Sequence, residues 1–371
     1  MQFLVITDAP TLLEEGRQTA YAPYVVEMDI WFKNTDEATI VSPSKYGSNL
    51  LTAPFKKQPR VVSIPAIHFS SFLSSVLGVL RLPIVAFTLF RAMRRAEHIH
   101  LRCPGTIGLL GCFVQILFPG KTKTVKYAGN WDPNSKQPLS YQLQKKILSN
   151  TFLSRNIKVL VYGEWENQSG NIQPFFTASF NENEKEGWSE RNYDGKLEFV
   201  FAGSLVSGKR PLLAIKIIQL LRNKGVEARL DLYGDGPLKN EIHNYILDSN
   251  LQDVVAMHGN QPIAILKEKL KRAHFSILPS KSEGWPKALA EGMFFGSIPI
   301  GTTVSCVPYM FGFGEWGILI EPDATSASDE IIGHLSNSDK LKQMAKLASQ
   351  WSQQFTLETF EQEIKKLLKR H

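Results

Sequence analysis

Short apolar runs alternate with longer amphipathic stretches along almost the whole chain, the pattern of βα units that feed parallel sheets. In the first half, residues 3–7, 38–41, 61–64, 98–102, 124–127 and 158–162 read as strands, with helical stretches such as 109–118 and 139–149 between them. Around 179–194 the apolar period is lost. Asn181-Glu-Asn-Glu-Lys-Glu-Gly-Trp188 is polar and charged, and it reads as a linker. A second series then begins, with strands at 197–202, 228–233, 254–258, 275–278, 298–301 and 317–320 and helices at 211–223, 238–248, 263–272 and 286–295. The pattern predicts an α/β protein of two Rossmann-like domains whose parallel sheets face each other across a cleft. Residues 1–185 form the first domain and residues 190–354 the second. A last amphipathic helix within 355–371 carries Glu358, Glu361 and Glu363 early and Lys365, Lys366, Lys369 and Arg370 late, an order that suits the helix dipole.

A chain of 371 residues suits two domains rather than one core, and 43% hydrophobic with 21% charged residues is a globular composition. The net charge of +7 favours anionic ligands, such as nucleotide diphosphates, or an anionic membrane surface, and gives no specific sign of nucleic acid. Cys103, Cys112 and Cys306 have neither disulfide nor zinc spacing, which points to a reducing cytoplasm. The N-terminus reads as a strand, not a signal peptide, so the Asn167-Gln168-Ser169 sequon is taken as chance. Residues 69–90 are strongly apolar, but Arg81 and Pro83 interrupt them, which argues against a spanning helix. With eight Lys or Arg and one acid over 81–126, this region predicts a basic, apolar face for peripheral contact with the inner surface of an anionic membrane.

The chemistry concentrates in residues 277–291. A strand ends at Pro279, a polar loop follows, and Pro286 stands where a helix would begin, so free N–H groups near Gly284 offer a place for phosphate. Glu283 precedes that helix and Glu291 lies on it, about 7.5 Å beyond Pro286 at 1.5 Å per residue. Two acceptor-only carboxylates so placed can bind two sets of hydroxyls on one elongated ligand, a hexose and a ribose with a diphosphate between.

Glu283 and Glu291, inside Ser282-Glu-Gly-Trp-Pro-Lys-Ala-Leu-Ala-Glu291, resemble the E-x7-E signature of the retaining family-four glycosyltransferases of the GT-B fold. The resemblance implies that Glu283 contacts the donor sugar and Glu291 the ribose, with Ser280, Gly284, Trp285, Pro286 and Lys287 around them. Phe201-Ala-Gly-Ser-Leu-Val-Ser-Gly-Lys-Arg-Pro211 resembles the family's diphosphate loop, with Gly203 and Gly208 for close approach and Lys209 and Arg210 for charge. Ser204 stands where the family has an arginine, and Lys209 keeps the family's lysine position. The Gly234-Asp-Gly-Pro turn and His258-Gly-Asn260 resemble the nucleotide-side loops. The resemblance covers about residues 197–323 and extends weakly to the C-terminal helix, which in this fold crosses back to the first domain.

The first half is less like the family. Asp8 to Tyr21 offers Gly16 and Arg17 where a glycine pair is usual, and Asn130, Trp131 and Asp132 replace the family's cleft histidine. Asn130 therefore joins Glu283 and Lys209 as a candidate catalytic residue. Gly16, Arg17, Trp131 (as a stacking platform) and Asp132 are candidates for the acceptor side. His98 and His100 alternate along a strand, which places at most one of them at the cleft. No Asp-x-Asp or histidine cluster predicts a metal, and no cofactor is expected beyond a UDP- or GDP-sugar substrate. The implied reaction moves a sugar to a glycan or lipid-linked acceptor in polysaccharide biosynthesis, by same-face attack. A catalytically degenerate scaffold of the same fold is the alternative, raised by Ser204. Gly203 to Lys209 departs from a Walker A loop at Arg210, and Gly234-Asp-Gly236 lacks the third glycine of a dinucleotide site.

Overall fold

The computed structural model describes residues 1–45, 51–67 and 72–369. The chain divides into two compact units, Met1–Phe176 with the residues from Phe360 onward, and Thr177–Thr359.

In the first unit the elements are β1 (Gln2–Ile6), β2 (Leu12–Glu14), β3 (Arg17–Tyr21), α1 (Ala22–Lys33), β4 (Glu37–Ser42), β5 (Thr52–Pro54), β6 (Arg60–Ser63), α2 (Phe72–Arg95), β7 (His98–Cys103), α3 (Thr106–Val114), β8 (Thr122–Tyr127), α4 (Leu139–Ser149), β9 (Ile157–Tyr162) and β10 (Ile172–Phe175). Seven strands form a parallel sheet in the order β10-β9-β8-β7-β1-β4-β6. β1 is fully interior, paired to β4 on one side and β7 on the other, and its run Phe3, Leu4, Val5, Ile6 is buried throughout, as a strand covered on both faces requires. α2 packs the stripe Val85, Leu89 and Met93 into the core formed with this sheet, each with no exposed surface.

The second unit contains β11 (Leu197–Ala202), α5 (Pro211–Asn223), β12 (Ala228–Tyr233), α6 (Lys239–Asp248), β13 (Val255–Gly259), α7 (Ile263–Arg272), β14 (Phe275–Leu278), α8 (Lys287–Phe294), β15 (Ile298–Thr302), α9 (Val307–Met310), β16 (Ile318–Ile320), α10 (Ala324–Leu335) and α11 (Ser338–Ser352). A last helix, α12 (Leu357–Leu368), begins here and enters the first unit at Phe360. The parallel order is β13-β12-β11-β14-β15-β16. Successive strands run outward from β11 to β13, then the chain returns to the other side of β11 with β14. Ligands of open α/β sheets bind at the carboxyl ends of the strands that flank such a reversal. In the first sheet the equivalent reversal lies between β1 and β7.

Several expectations need correction. The stretch where the resemblance looks for a glycine pair is not simply a loop: residues 12–21 form a β-hairpin, joined by β5 into a small antiparallel sheet. Residues 179–194 do not behave as a free linker, because the buried Arg191 guanidinium donates to the carbonyls of Gly296, Phe295 and Lys271, the last at 2.9 Å. α2 runs through Pro83 without a break. It is, among the described residues, one helix long and apolar enough to cross a membrane by length and composition. Most of the basic face expected over 81–126 also dissolves. Lys123 and Lys126 are buried and donate to the Phe118 and Phe176 carbonyls at 2.7 and 2.6 Å, and Arg102 pairs with Glu27. Lys121 caps the end of α2 through the Arg94 carbonyl at 2.7 Å. Exposed cations remain at Arg81, Arg91, Arg94 and Arg95.

Candidate functional site

The reversal between β11 and β14 explains how residues distant in sequence meet. The loop after β11 and the loop after β14 lie side by side, joined by the backbone bond from Lys281 N–H to Gly208 C=O at 2.8 Å. Across this junction Lys209 Nζ donates to both carboxylate oxygens of Glu283, at 2.6 and 2.8 Å, over a separation of 74 residues. Glu283 keeps 5% of its side-chain surface and Lys209 keeps 30%, so the acid is desolvated and the base still reaches solvent. Ser305 Oγ holds the Glu283 backbone N–H at 3.0 Å, and Cys306 Sγ donates to the Gly284 carbonyl at 2.8 Å. Burial pushes the Cys306 thiol up, so it stays protonated and supplies that hydrogen.

Arg210 is the N-cap of α5 with φ +50, and its guanidinium turns toward the Ser280 and Pro279 carbonyls at 3.3 and 3.5 Å. The backbone twist that presents Lys209 thus directs its neighbour to the β14 end. Ser204 is exposed at the opposite end of this loop, and the Ser280 hydroxyl is buried with no partner among the described residues. Pro286 is the N-cap of α8 rather than its first helical residue, and it contributes no side-chain cap.

Glu291 has a different setting. Its carboxylate accepts from Ser179 Oγ at 2.6 Å, in a small recess also lined by Lys287, and burial raises its pKa against the opposing effect of that hydrogen bond and of Lys287. Trp285, expected among the donor contacts, is 7% exposed and stacks on Trp351 of α11 at 5.8 Å. Its ring belongs to the packing of the unit, which leaves the backbone as the part available to a ligand.

Glycines have steric causes in the neighbouring loops. A Cβ on Gly234, where φ is +135, would meet the Gly203 carbonyl oxygen at 2.0 Å, and one on Gly236 would meet the Leu205 oxygen at 2.6 Å. The two turns are therefore pressed together, backbone against backbone. His258 stacks on Tyr233 at 4.6 Å, and its Nε2 lies 2.7 Å from Asp231 Oδ1. Asp231, also 2.7 Å from Lys269, is opposed by burial, but the bonds from Lys269 and His258 outweigh it and hold the carboxyl below its ordinary range. Sequence reasoning missed Asp231, Lys269, Ser179 and Ser305. Only Asp231 leaves a trace, as a carboxylate inside the apolar strand Leu230-Asp-Leu232.

In the first unit the candidates do not gather into one site. Asn130 Oδ1 accepts from the Asp132 N–H at 2.8 Å, and Asp132 Oδ1 in turn accepts from the Asn134 N–H at 2.8 Å, so both side chains shape the turn after β8. Trp131 is 2% exposed, edge-on to Tyr127 at 4.9 Å, and donates Nε1–H to Gln168 at 2.9 Å. That burial removes the stacking face expected of it. Lys145 lies over both rings, and its partial burial lowers the ammonium pKa to about 8. Gly16 sits with Glu15 at the hairpin tip, both with positive φ, and Arg17 follows in the open. The turn itself requires that glycine. His98 and His100, two apart on β7, share one face rather than alternating. Both rings bond Thr124 Oγ1 at 2.9 Å inside the core. At the β1–β7 reversal, the Asp8 carboxylate accepts from the Ile107 and Gly108 N–H groups at 3.0 and 3.1 Å, filling the N-terminus of α3. Among the described residues no three His, Cys, Asp or Glu side chains converge as a metal site.

Two Rossmann-like halves with these strand orders define the GT-B class of fold. Anabaena HepE in complex with UDP matches with a TM-score of 0.69 at 15% identity, over 99% of this chain and 98% of that one. Sucrose-phosphate synthase from Thermosynechococcus elongatus matches with a TM-score of 0.67 at 14% identity, over 99% and 98%. Residues 182–351 match the family profile described as glycosyl transferases group 1. Over 149 residues the chain is 29% identical to WcaL of Salmonella typhimurium, whose name provisionally assigns it as a glycosyltransferase of colanic acid biosynthesis; the match covers 38% of this chain and 37% of that protein. The amylovoran biosynthesis glycosyltransferase AmsK of Erwinia amylovora is 27% identical over 133 residues, 34% of this chain and 33% of its own length. The matched segments thus span about a third of these relatives.

Proposed function

We propose that this chain transfers a sugar from a nucleotide sugar to a glycan or lipid-linked acceptor in the synthesis of a polysaccharide, with retention of configuration and without a metal. The observation that carries the reading is the Lys209–Glu283 pair at the β11–β14 reversal, inside the segment that matches the glycosyl transferases group 1 profile. The names of the relatives supply the polysaccharide context, and HepE, solved with UDP, supports a uridine nucleotide as donor.

The chemistry follows from the charges. An ammonium has three N–H donors. Two contacts to Glu283 leave Lys209 a third, on its solvent-facing side, for an oxygen of the leaving diphosphate. Departure of the diphosphate builds negative charge, and a fixed cation beside the uncapped start of α8 stabilises that charge more than the ground state. Glu283, whose backbone N–H is held by Ser305 in a buried loop, would accept from hexose hydroxyls. Glu291 would take the ribose hydroxyls by exchanging its bond from Ser179. His258 would lie on the nucleotide side, oriented by Asp231.

Isothermal titration with UDP, GDP and their sugars tests the donor, and release of nucleoside diphosphate from the sugar nucleotide tests turnover. Saturable binding of one nucleotide with slow hydrolysis supports a transferase. Binding without any turnover, with or without acceptor glycans, supports the degenerate scaffold that the serine at 204 suggests. Absence of nucleotide binding overturns both.

A further inference from the structure

α2 presents two opposed faces. The buried stripe of Val85, Leu89 and Met93 faces the core, and the outer side carries Val76, Val79, Leu80, Ile84 and Phe87, each between 42% and 66% exposed. These five recur at the three- and four-residue spacing of one helix face. They extend over about 16 Å at 1.5 Å per residue. Continuing the same line toward the C-terminus come Arg91, Arg94 and Arg95, all exposed. The Arg91 guanidinium lies over the Phe87 ring at 5.8 Å, at the boundary between the apolar and the cationic parts. Beside that boundary opens a cavity of about 620 Å³, lined by Phe87, Arg91, Arg95, Arg60 and Lys57, with Asp36 and Glu37 also on its wall.

An isolated exposed leucine has no special meaning, but a contiguous apolar stripe ending in three arginines does. Water solvates the stripe poorly, and the arginines complement phosphate. We propose that α2 seats the first unit on an anionic phospholipid bilayer, with the outer face of residues 76–87 in the acyl boundary and Arg91, Arg94 and Arg95 at the headgroup phosphates. The cavity beside Phe87 would receive a headgroup. The helix lies on the bilayer and does not cross it, because crossing would strip Val85, Leu89 and Met93 from the core they fill. The inference stands apart from the transferase reading, since it uses no donor-site residue.

The test is co-sedimentation of the full chain with vesicles of phosphatidylcholine alone and of phosphatidylcholine mixed with phosphatidylglycerol, without any nucleotide sugar. Binding is expected to be about tenfold or more stronger with phosphatidylglycerol, and to weaken when salt shortens the range of the charges. Leu80→Asp with Ile84→Asp, and separately Arg91→Glu with Arg94→Glu and Arg95→Glu, should each abolish it. Both sets replace exposed side chains, so an unchanged circular dichroism melt checks that the fold is kept. Equal binding to both vesicles, binding by either variant as strong as by the parent, or resistance of the bound chain to alkaline carbonate extraction would each overturn the proposal. Sedimentation velocity without lipid supplies the remaining arm: a dimer lost on Leu80→Asp would assign the face to a second copy and refute the lipid.

Discussion

At the reversal of the first sheet, the loop after β1 sends Asp8 onto the two N–H groups at the start of α3, and the site is filled by the chain's own anion. At the reversal of the second sheet, the loop after β11 instead sends Lys209 onto Glu283 of the loop after β14, and the N-cap of α8 adds no side chain of its own. The same topology thus yields a self-satisfied helix end in one unit and a cation–carboxylate pair in the other. A carboxylate on a helix end already occupies the position a phosphate would take. The difference teaches that a Rossmann-like reversal is only a location, and that the charge placed there decides whether it can hold a ligand.

The comparison can be broken most decisively at Lys209. Its removal leaves Glu283 buried without a counter-charge, which costs about 3–5 kcal/mol. Lys209→Ala should therefore lower both the melting temperature and nucleotide binding, whereas Lys209→Ala combined with Glu283→Gln should recover stability but not turnover. A double variant as active as the parent would remove this pair from the chemistry.

Acidification probes the first unit next. Burial depresses His98 to about 4 and His100 well below its ordinary value. Both rings are neutral when folded and charge on unfolding, so their contribution is full above about pH 6.5 and is lost as pH falls toward the folded values. The loss for His98 alone is on the order of 3 kcal/mol between pH 6.5 and 4. Urea unfolding at pH 7 and pH 5 should show a lower midpoint at pH 5, and an unchanged midpoint after a His98→Gln, His100→Gln exchange would confirm the source.

Asp8→Ala should cost about 1–3 kcal/mol of stability by orphaning two N–H groups, with nucleotide affinity unchanged. Loss of affinity in that variant would show that the two reversals are not separate in function. The smallest effect is expected at Glu291→Gln. Burial already disfavours the charge there, so the neutral amide should hold or slightly raise the melting temperature while donor affinity falls about tenfold, the loss of one charge-assisted hydrogen bond.

Much of this was legible because it is local. The alternation of apolar runs located all six strands of the second sheet and every strand of the first except β10, and the run from Pro279 to Glu291 announced a strand, a loop and a helix through Pro286. The Gly234 turn was readable as a turn, though its cause, the Gly203 carbonyl against it, was not. What failed depended on direction rather than on residue type. Lys123 and Lys126 read as surface charge, yet they lie on a strand sealed on both faces and turn to carbonyls. Trp131 read as a stacking platform, yet it is buried and bonded to Gln168, 37 residues later.

By itself, then, the sequence determined the two βα series, the acids at 283 and 291 and the lysine at 209, because periodicity, turn chemistry and residue type act over a few neighbours. Which of these groups meet was decided by the tertiary structure alone. Adjacency of β11 and β14 is a consequence of strand order, and strand order is set by how the whole sheet buries its faces, so no local pattern could report that Lys209 would reach Glu283 while Glu291 would turn to Ser179.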